Sequence, residues 1–272
     1  MVRKINVVGR CLYAVVLVIG SFSAYAQDAA SELNQMYDDV EVDAKQPSAW
    51  HGFLGAGVLA TQQTSGDRKN FIVPLIAIAY KDIAYWQVAR GGVWLLQSDD
   101  HRVRAGLVVK VRRGFDPADF DGLAGMEERK SSREAGINGV WTTRAITVSA
   151  AYYTDISGTS QGDSATLSFA HPFRVSERWR ITPSVGAEWL DAAVVGYYYG
   201  VRPSEATSIR PAYAGKGNVN VRVGASVLYS LSRDWWWFGG IGYTRLGSGI
   251  TDSPIVIHDH VSSVHLGAGW HF

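Results

Sequence analysis

The last nine residues, Val264-His265-Leu266-Gly267-Ala268-Gly269-Trp270-His271-Phe272, alternate strictly in character. Val264, Leu266, Ala268, Trp270 and Phe272 share one face of a strand, and His265, Gly267, Gly269 and His271 share the other. A strand that is apolar on one side, small or polar on the other and ends on an aromatic fits the closing strand of a lipid-embedded barrel. Leu266, Trp270 and Phe272 are its expected sealing residues, and it is the expected handle for barrel assembly machinery. A soluble sandwich more often ends in a frayed polar tail.

The same dyad recurs upstream. Over Arg102–Arg113, Val103, Ala105, Leu107, Val109 and Val111 oppose Arg102, Arg104, Lys110 and Arg112. Trp179, Ile181, Pro183, Val185, Ala187 and Trp189 oppose Arg180, Thr182, Ser184, Gly186 and Glu188. Val219 to Tyr229 repeats the pattern with Asn220 and Arg222 on the polar side. Charges on one face of so many strands suit a wet lumen, and tryptophan at both ends of an apolar face suits two interfacial girdles about 25 Å apart. Arg102, Arg104, Lys110, Arg112, Arg180, Glu188 and Arg222 are therefore expected to face the lumen, with Glu134 and Asp155 among their counter-charges.

Eleven segments can be counted, whereas single-chain bacterial barrels have an even number. The long connections Gly114–Ser131, Asp191–Lys216 and Gly247–His260 are separated by even numbers of strands and so share one side. Returning the first strand to the opposite side needs one more strand before Gly114. Arg90-Gly91-Gly92 offers the tight hairpin, because glycines allow positive φ. The expected fold is all-β, a transmembrane antiparallel up-and-down barrel of about twelve strands over 50–272, or ten if short halves do not span.

The amino-terminal stretch reads as an export signal over 1–26. Arg3, Lys4 and Arg10 precede an apolar run from Leu12 to Ile19, and Ala24-Tyr25-Ala26 supplies small residues for cleavage. That run is shorter than the ~20 residues of a spanning helix. Gln27–Ala49 holds Asp28, Glu32, Asp38, Asp39, Glu41 and Asp43 against Lys45, and reads as an acidic, flexible periplasmic leader. Cys11 is the single cysteine and lies in the signal, so the exported chain has no disulfide. Three of the 26 basic residues fall there too, leaving 23 against 25 acidic, and no basic excess points to nucleic acid.

Candidate chemistry is thin. His258-Asp259-His260 places two imidazoles on one strand face but brings no third ligand close in sequence, and nothing calls for a metal or cofactor. Ser149, Ser168, Ser226 and His265 are ingredients of a hydrolase triad without a spacing that selects one, so no catalytic residue is assigned. A charged lumen could conduct small solutes or form a plug of ion pairs. The second is expected, because buried charges must be paired.

Several short motifs occur in order along the chain. They are Pro74-Leu75, Leu123 with Gly125-Met126, Asp155-Ile156-Ser157-Gly158, Tyr197-Tyr198-Tyr199-Gly200-Val201 with Glu205, Tyr243-Thr244-Arg245-Leu246, and Thr251-Asp252-Ser253-Pro254-Ile255-Val256. In this order they resemble the MipA/OmpV family of outer-membrane proteins, from about Trp50 to Phe272. The resemblance implies a non-enzymatic barrel in the outer membrane of a Gram-negative bacterium, surrounded by outer-membrane lipid. It also implies a scaffold linking a murein hydrolase and a murein synthase, with a narrow channel or an adhesin as alternatives and a barrel lipid hydrolase further off. The family brings no agreed site. Asp155, Ser157, Gly158, Tyr198, Tyr199, Gly200, Val201, Arg245, Ser253 and Pro254 therefore stand as motif positions, structural or partner-facing. Asp155-Ile156-Ser157-Gly158 reads locally as a turn in which Asp caps amides and Gly is left-handed.

Overall fold

The computed structural model describes residues 49–120 and 122–272; the expected signal over 1–26 and nearly all of the expected acidic leader over 27–49 lie outside them. The thirteen β segments among the described residues are β1 (Trp50–Gln63), β2 (Gly66–Tyr80), β3 (Ala84–Gln87), β4 (Arg90–Gln97), β5 (Val103–Arg112), β6 (Ser132–Thr142), β7 (Thr147–Asp155), β8 (Asp163–Ala170), β9 (Phe173–Arg174), β10 (Trp179–Leu190), β11 (Asn218–Ser230), β12 (Trp235–Arg245) and β13 (His260–His271). They form one sheet in the order β11-β12-β13-β1-β2-β3-β4-β5-β6-β7-β8-β10-β9, and a β11–β10 ladder joins the ends into a closed barrel. β8 (Asp163–Ala170) and β9 (Phe173–Arg174) pair with successive parts of β10 (Trp179–Leu190), so they are one wall strand. It breaks at His171-Pro172, where Pro172 has no N–H to give to the ladder. The wall is thus twelve-stranded and antiparallel, as the eleven counted segments and the one more required by the sidedness of the long loops predict. No described helix is long and apolar enough to cross a membrane; the strands do so.

The barrel closes between β1 (Trp50–Gln63) and β13 (His260–His271), in register from Phe53↔His271 to Thr61↔Ser263. Gly52 and Phe272 exchange two N–H···O bonds of 3.0 Å, so the final residue belongs to the ladder. Val264, Leu266 and Trp270 point outward, between 41% and 58% exposed, while Ser263 and His265 are buried inward. The outer surface carries Val58, Ile72, Leu107, Ile137, Val185, Val221 and Ile241, which water would not tolerate in such number. Trp50, Trp179, Trp235 and Trp270 ring the short-turn end, and Trp189 and Tyr243 are exposed toward the other end.

Inside, Phe53, Leu59, Val73, Leu75, Leu228 and Phe238 make an apolar cluster. Gly267 and Gly269 make room for it: a Cβ at Gly267 would sit 2.2 Å from the Phe238 ring, and one at Gly269 2.3 Å from the Phe53 ring. The extra hairpin expected at Arg90-Gly91-Gly92 exists, but its turn lies at Val88-Ala89, between β3 (Ala84–Gln87) and β4 (Arg90–Gln97). Val88 itself adopts φ 44°. Gly91 and Gly92 are in the strand, where a Cβ would strike Trp86 at 2.3 Å and the Tyr85 hydroxyl at 2.7 Å. Those glycines serve ring packing, which is why they misled as a turn signal.

Candidate functional site

The charged side of the dyad meets in the lumen. Lys110 and Arg112 come from β5 (Val103–Arg112), Glu134 from β6 (Ser132–Thr142), Ser164 from β8 and Glu188 from β10. Arg112 Nε donates to Glu134, and Lys110 Nζ lies 3.1 Å from the other Glu134 oxygen. Arg112 Nη2 reaches Glu188 Oε1 at 3.2 Å and Ser164 Oγ at 3.1 Å. β5 and β10 are separated by β6, β7 and β8 around the wall, so the Arg112–Glu188 contact is a chord across the interior. Lys110 also lies 3.9 Å over the Tyr153 ring. This arrangement is a bar of paired charges reaching across the lumen.

The other lumen candidates are placed apart. Arg104 is buried 4.8 Å over Trp94, which stacks on Tyr85, and the Tyr85 hydroxyl accepts a 2.8 Å bond from Asn138. Arg222 Nε donates to Thr244 Oγ1 at 3.1 Å. Arg180 stands at the short-turn start of β10, opposite Arg174. Arg102 is a correction: it precedes β5 in the turn, half exposed and 3.4 Å from Asp100, because the dyad stops where the strand begins. Ser226, Gly240 and His265 lie side by side on β11 (Asn218–Ser230), β12 (Trp235–Arg245) and β13, but the next residue at that level is Leu59. Among these register neighbours there is no carboxylate to orient the imidazole. His260 Nδ1 engages Asp259 Oδ1 at 2.8 Å, and among the described residues no cluster of three potential ligands forms.

Above the lumen the long loops fold into a cap. Helix α1 (Ala192–Tyr199) starts on Asp191, whose carboxylate accepts from Val194 N–H at 2.8 Å. Val194, Val195 and Tyr198 pack with Leu190, Leu246, Ile250 and Val261, and Phe120, Leu123, Met126, Val201 and Ile255 form a second cluster. Arg129 and Glu205 clamp two loops in a buried two-point pair of 2.8 and 2.6 Å. Arg129 also donates to Glu127 O and Gly200 O, while Glu205 accepts from the backbone N–H of Glu127 and Arg202, both at 3.0 Å. Burial alone would raise the Glu205 carboxyl, but these hydrogen bonds, Arg129 foremost, outweigh it and hold it at about 2. Arg210 donates to Gly122 O, Ala124 O and Glu205 O.

The motif residues divide between this cap and a neighbouring loop. Tyr198 Oη donates to Ser132 Oγ at 3.0 Å, and burial pushes its phenol up to about 12. Ser253 Oγ donates to Tyr199 O, with Pro254 beside it, and Val201 and Tyr213 exchange backbone bonds. Arg245 lies 3.7 Å from Asp259 at the exposed end of β12. Asp155 instead closes its own loop, accepting from the N–H of Ser157, Ser160 and Gln161, with Gly158 at φ 71°. Arg129, Glu205 and Arg210 were invisible as a unit in the sequence. Loops carry no period, and nothing local says that a charge there is buried.

A family model described as "MltA-interacting protein MipA" matches residues 54–272. The chain belongs to this family, and it is an outer-membrane β-barrel of the MipA/OmpV type. It is 25% identical over 223 residues to the MltA-interacting protein of Escherichia coli K12, covering 80% of this chain and 89% of that one. It is 28% identical over 158 residues to outer membrane protein Omp26La of Vibrio anguillarum and, equally, to OmpV of Vibrio cholerae. Each of those matches spans 58% of this chain and 61% of the relative. Among solved structures, the NanC porin superposes with a TM-score of 0.46 at 8% identity, covering 80% of this chain and 98% of that one. OmpT of Vibrio cholerae gives 0.41 at 8%, covering 85% and 100%.

Proposed function

We propose that this MipA-family barrel is a non-enzymatic scaffold that holds murein-modifying enzymes, a hydrolase and a synthase, at the inner face of the outer membrane. The observation that carries the reading is the lumen barred by Arg112–Glu188 under an interlocked cap, which suits an anchor better than a conduit. The name of the Escherichia coli relative, MltA-interacting protein, supports the choice of partner. Long loops of outer-membrane barrels face outward, so a murein partner would meet the short turns and the acidic leader at 27–49. The signal segment ending at Ala26 would bring the chain to the periplasm, and the Leu266–Phe272 strand would present it to the assembly machinery.

Immobilised mature barrel should retain an MltA-type hydrolase and a murein synthase from solution, and lose them when 27–49 and the turns are replaced. Steady ion-selective openings in a planar bilayer, with neither enzyme retained, would instead make it a narrow channel.

A further inference from the structure

Charge is distributed unevenly round the short-turn end of the barrel. Followed from β1 by way of β2, its turns are 81–83, 98–102, 143–146, 175–178 and 231–234. The first two hold Lys81 and Arg102 against Asp82, Asp99 and Asp100, and Arg102 is held by Asp100 at 3.4 Å. The other three, with the strand ends beside them, hold Arg144, Arg174, Arg178, Arg180 and Arg233 against Glu177 and Asp234. Arg180 stands opposite Arg174 in the ladder, and like charges so placed repel. Arg144, Arg178 and Arg233 are exposed, and none of the three forms an ion pair with a described residue.

The chain carries its own complement to this arc. It enters β1 at the same end, where Ala49 O accepts from Lys81 N–H at 2.9 Å. Just ahead of that point Asp38, Asp39, Glu41 and Asp43 fall within six residues, and Lys45 is the one cation of 27–49. These acids precede Trp50 by seven to twelve residues, a reach of up to about 23–43 Å. Twelve strands about 4.8 Å apart and tilted about 40° make a mouth about 24 Å across. The whole rim is therefore within reach, and the tether holds the acids there at a roughly millimolar effective concentration. The acidic turn 98–102 lies three to four strands from β1 one way, and the basic turn 175–178 four to five the other. Distance does not favour the basic side; charge does.

We propose that Asp38–Asp43 lies as a strap on Arg144, Arg178 and Arg233 and closes this arc to other anions until a partner displaces it. Only the displacing partner rests on the scaffold reading; the strap is tested on purified barrel alone, so the two can fail separately. The exported chain has no cysteine, so spin labels can be placed at Val40→Cys with either Glu177→Cys or Asp99→Cys, each of which removes one exposed acid. In neutral detergent at low salt the 40–177 distance should be shorter and more narrowly distributed than the 40–99 distance. Salt at about 1 M, where charges are screened beyond about 3 Å, should abolish the difference. Equal, broad distributions at low salt would overturn the strap. Arg144→Gln, Arg178→Gln and Arg233→Gln together should release it. Arg→Glu at those positions, combined with Asp38→Lys, Asp39→Lys, Glu41→Lys and Asp43→Lys, should restore it. A short distance that survives the Arg→Gln changes would overturn the ionic contact. Loss of the short distance in bilayers containing phosphatidylglycerol would assign the arc to lipid headgroups and overturn the proposal as well.

Discussion

Arg129 and Glu205 show how much one pair can decide. Arg129 is 1% exposed and Glu205 3%, and they meet in a two-point pair inside the cap. Arg129→Met removes the buried counter-charge of the Glu205 carboxylate, which costs about 3–5 kcal/mol. The expected result is rapid cleavage of the loops by protease while the barrel still shifts on heating like the parent. The pair also sets a pH limit. Glu205 ionises at about 2 when folded and at 4.5 ordinarily. A depressed carboxylate stabilises fully above its unfolded value, less as pH falls below 4.5, and not at all below about 2. Protease resistance of the cap should therefore decline over that window, and Glu205→Gln should flatten the decline. Tyr198→Phe removes the bond to Ser132 and should cost the cap about 1 kcal/mol by the same measure.

At the scale of elements, the barrel depends on where side chains are absent. Gly267→Ala would press a methyl into the Phe238 ring, and overpacking of this kind costs about 1–3 kcal/mol. The thermal transition of the folded barrel in detergent should fall, and Gly267→Ala with Phe238→Leu should recover part of the loss. The strands themselves could be read from the sequence because a period of two needs no distant information. Arg112 and Glu188 declare their face through Val111 and Trp189 beside them. Chord partners could not be read, since Arg112 meets Glu188 only after the cylinder closes. Gly91-Gly92 misled for a related reason: its purpose is set by Trp86 and Tyr85 across a hairpin, and a turn elsewhere imposes the same residue type. The cap gave motifs but no geometry, its helix capped by Asp191 but its buried charges arranged by two loops far apart in sequence.

For the molecule as a whole, two barriers lie in series along the axis, and their order predicts conductance. The cap packs side chains of three loops together at the long-loop end, and the bar of Lys110, Arg112, Glu134 and Glu188 reaches across the lumen below it. Removing either one leaves the other across the path. Replacing 192–216 by a short linker should therefore leave a planar bilayer nearly as silent as the parent barrel. Changing Lys110, Arg112, Glu134 and Glu188 to serine together, with the cap intact, should do the same while avoiding any unpaired buried charge. The two changes combined should give steady openings far above the sum of the single ones. Large conductance from the cap deletion alone would mean that the charge bar does not block the lumen, and the argument for an anchor would lose its main support.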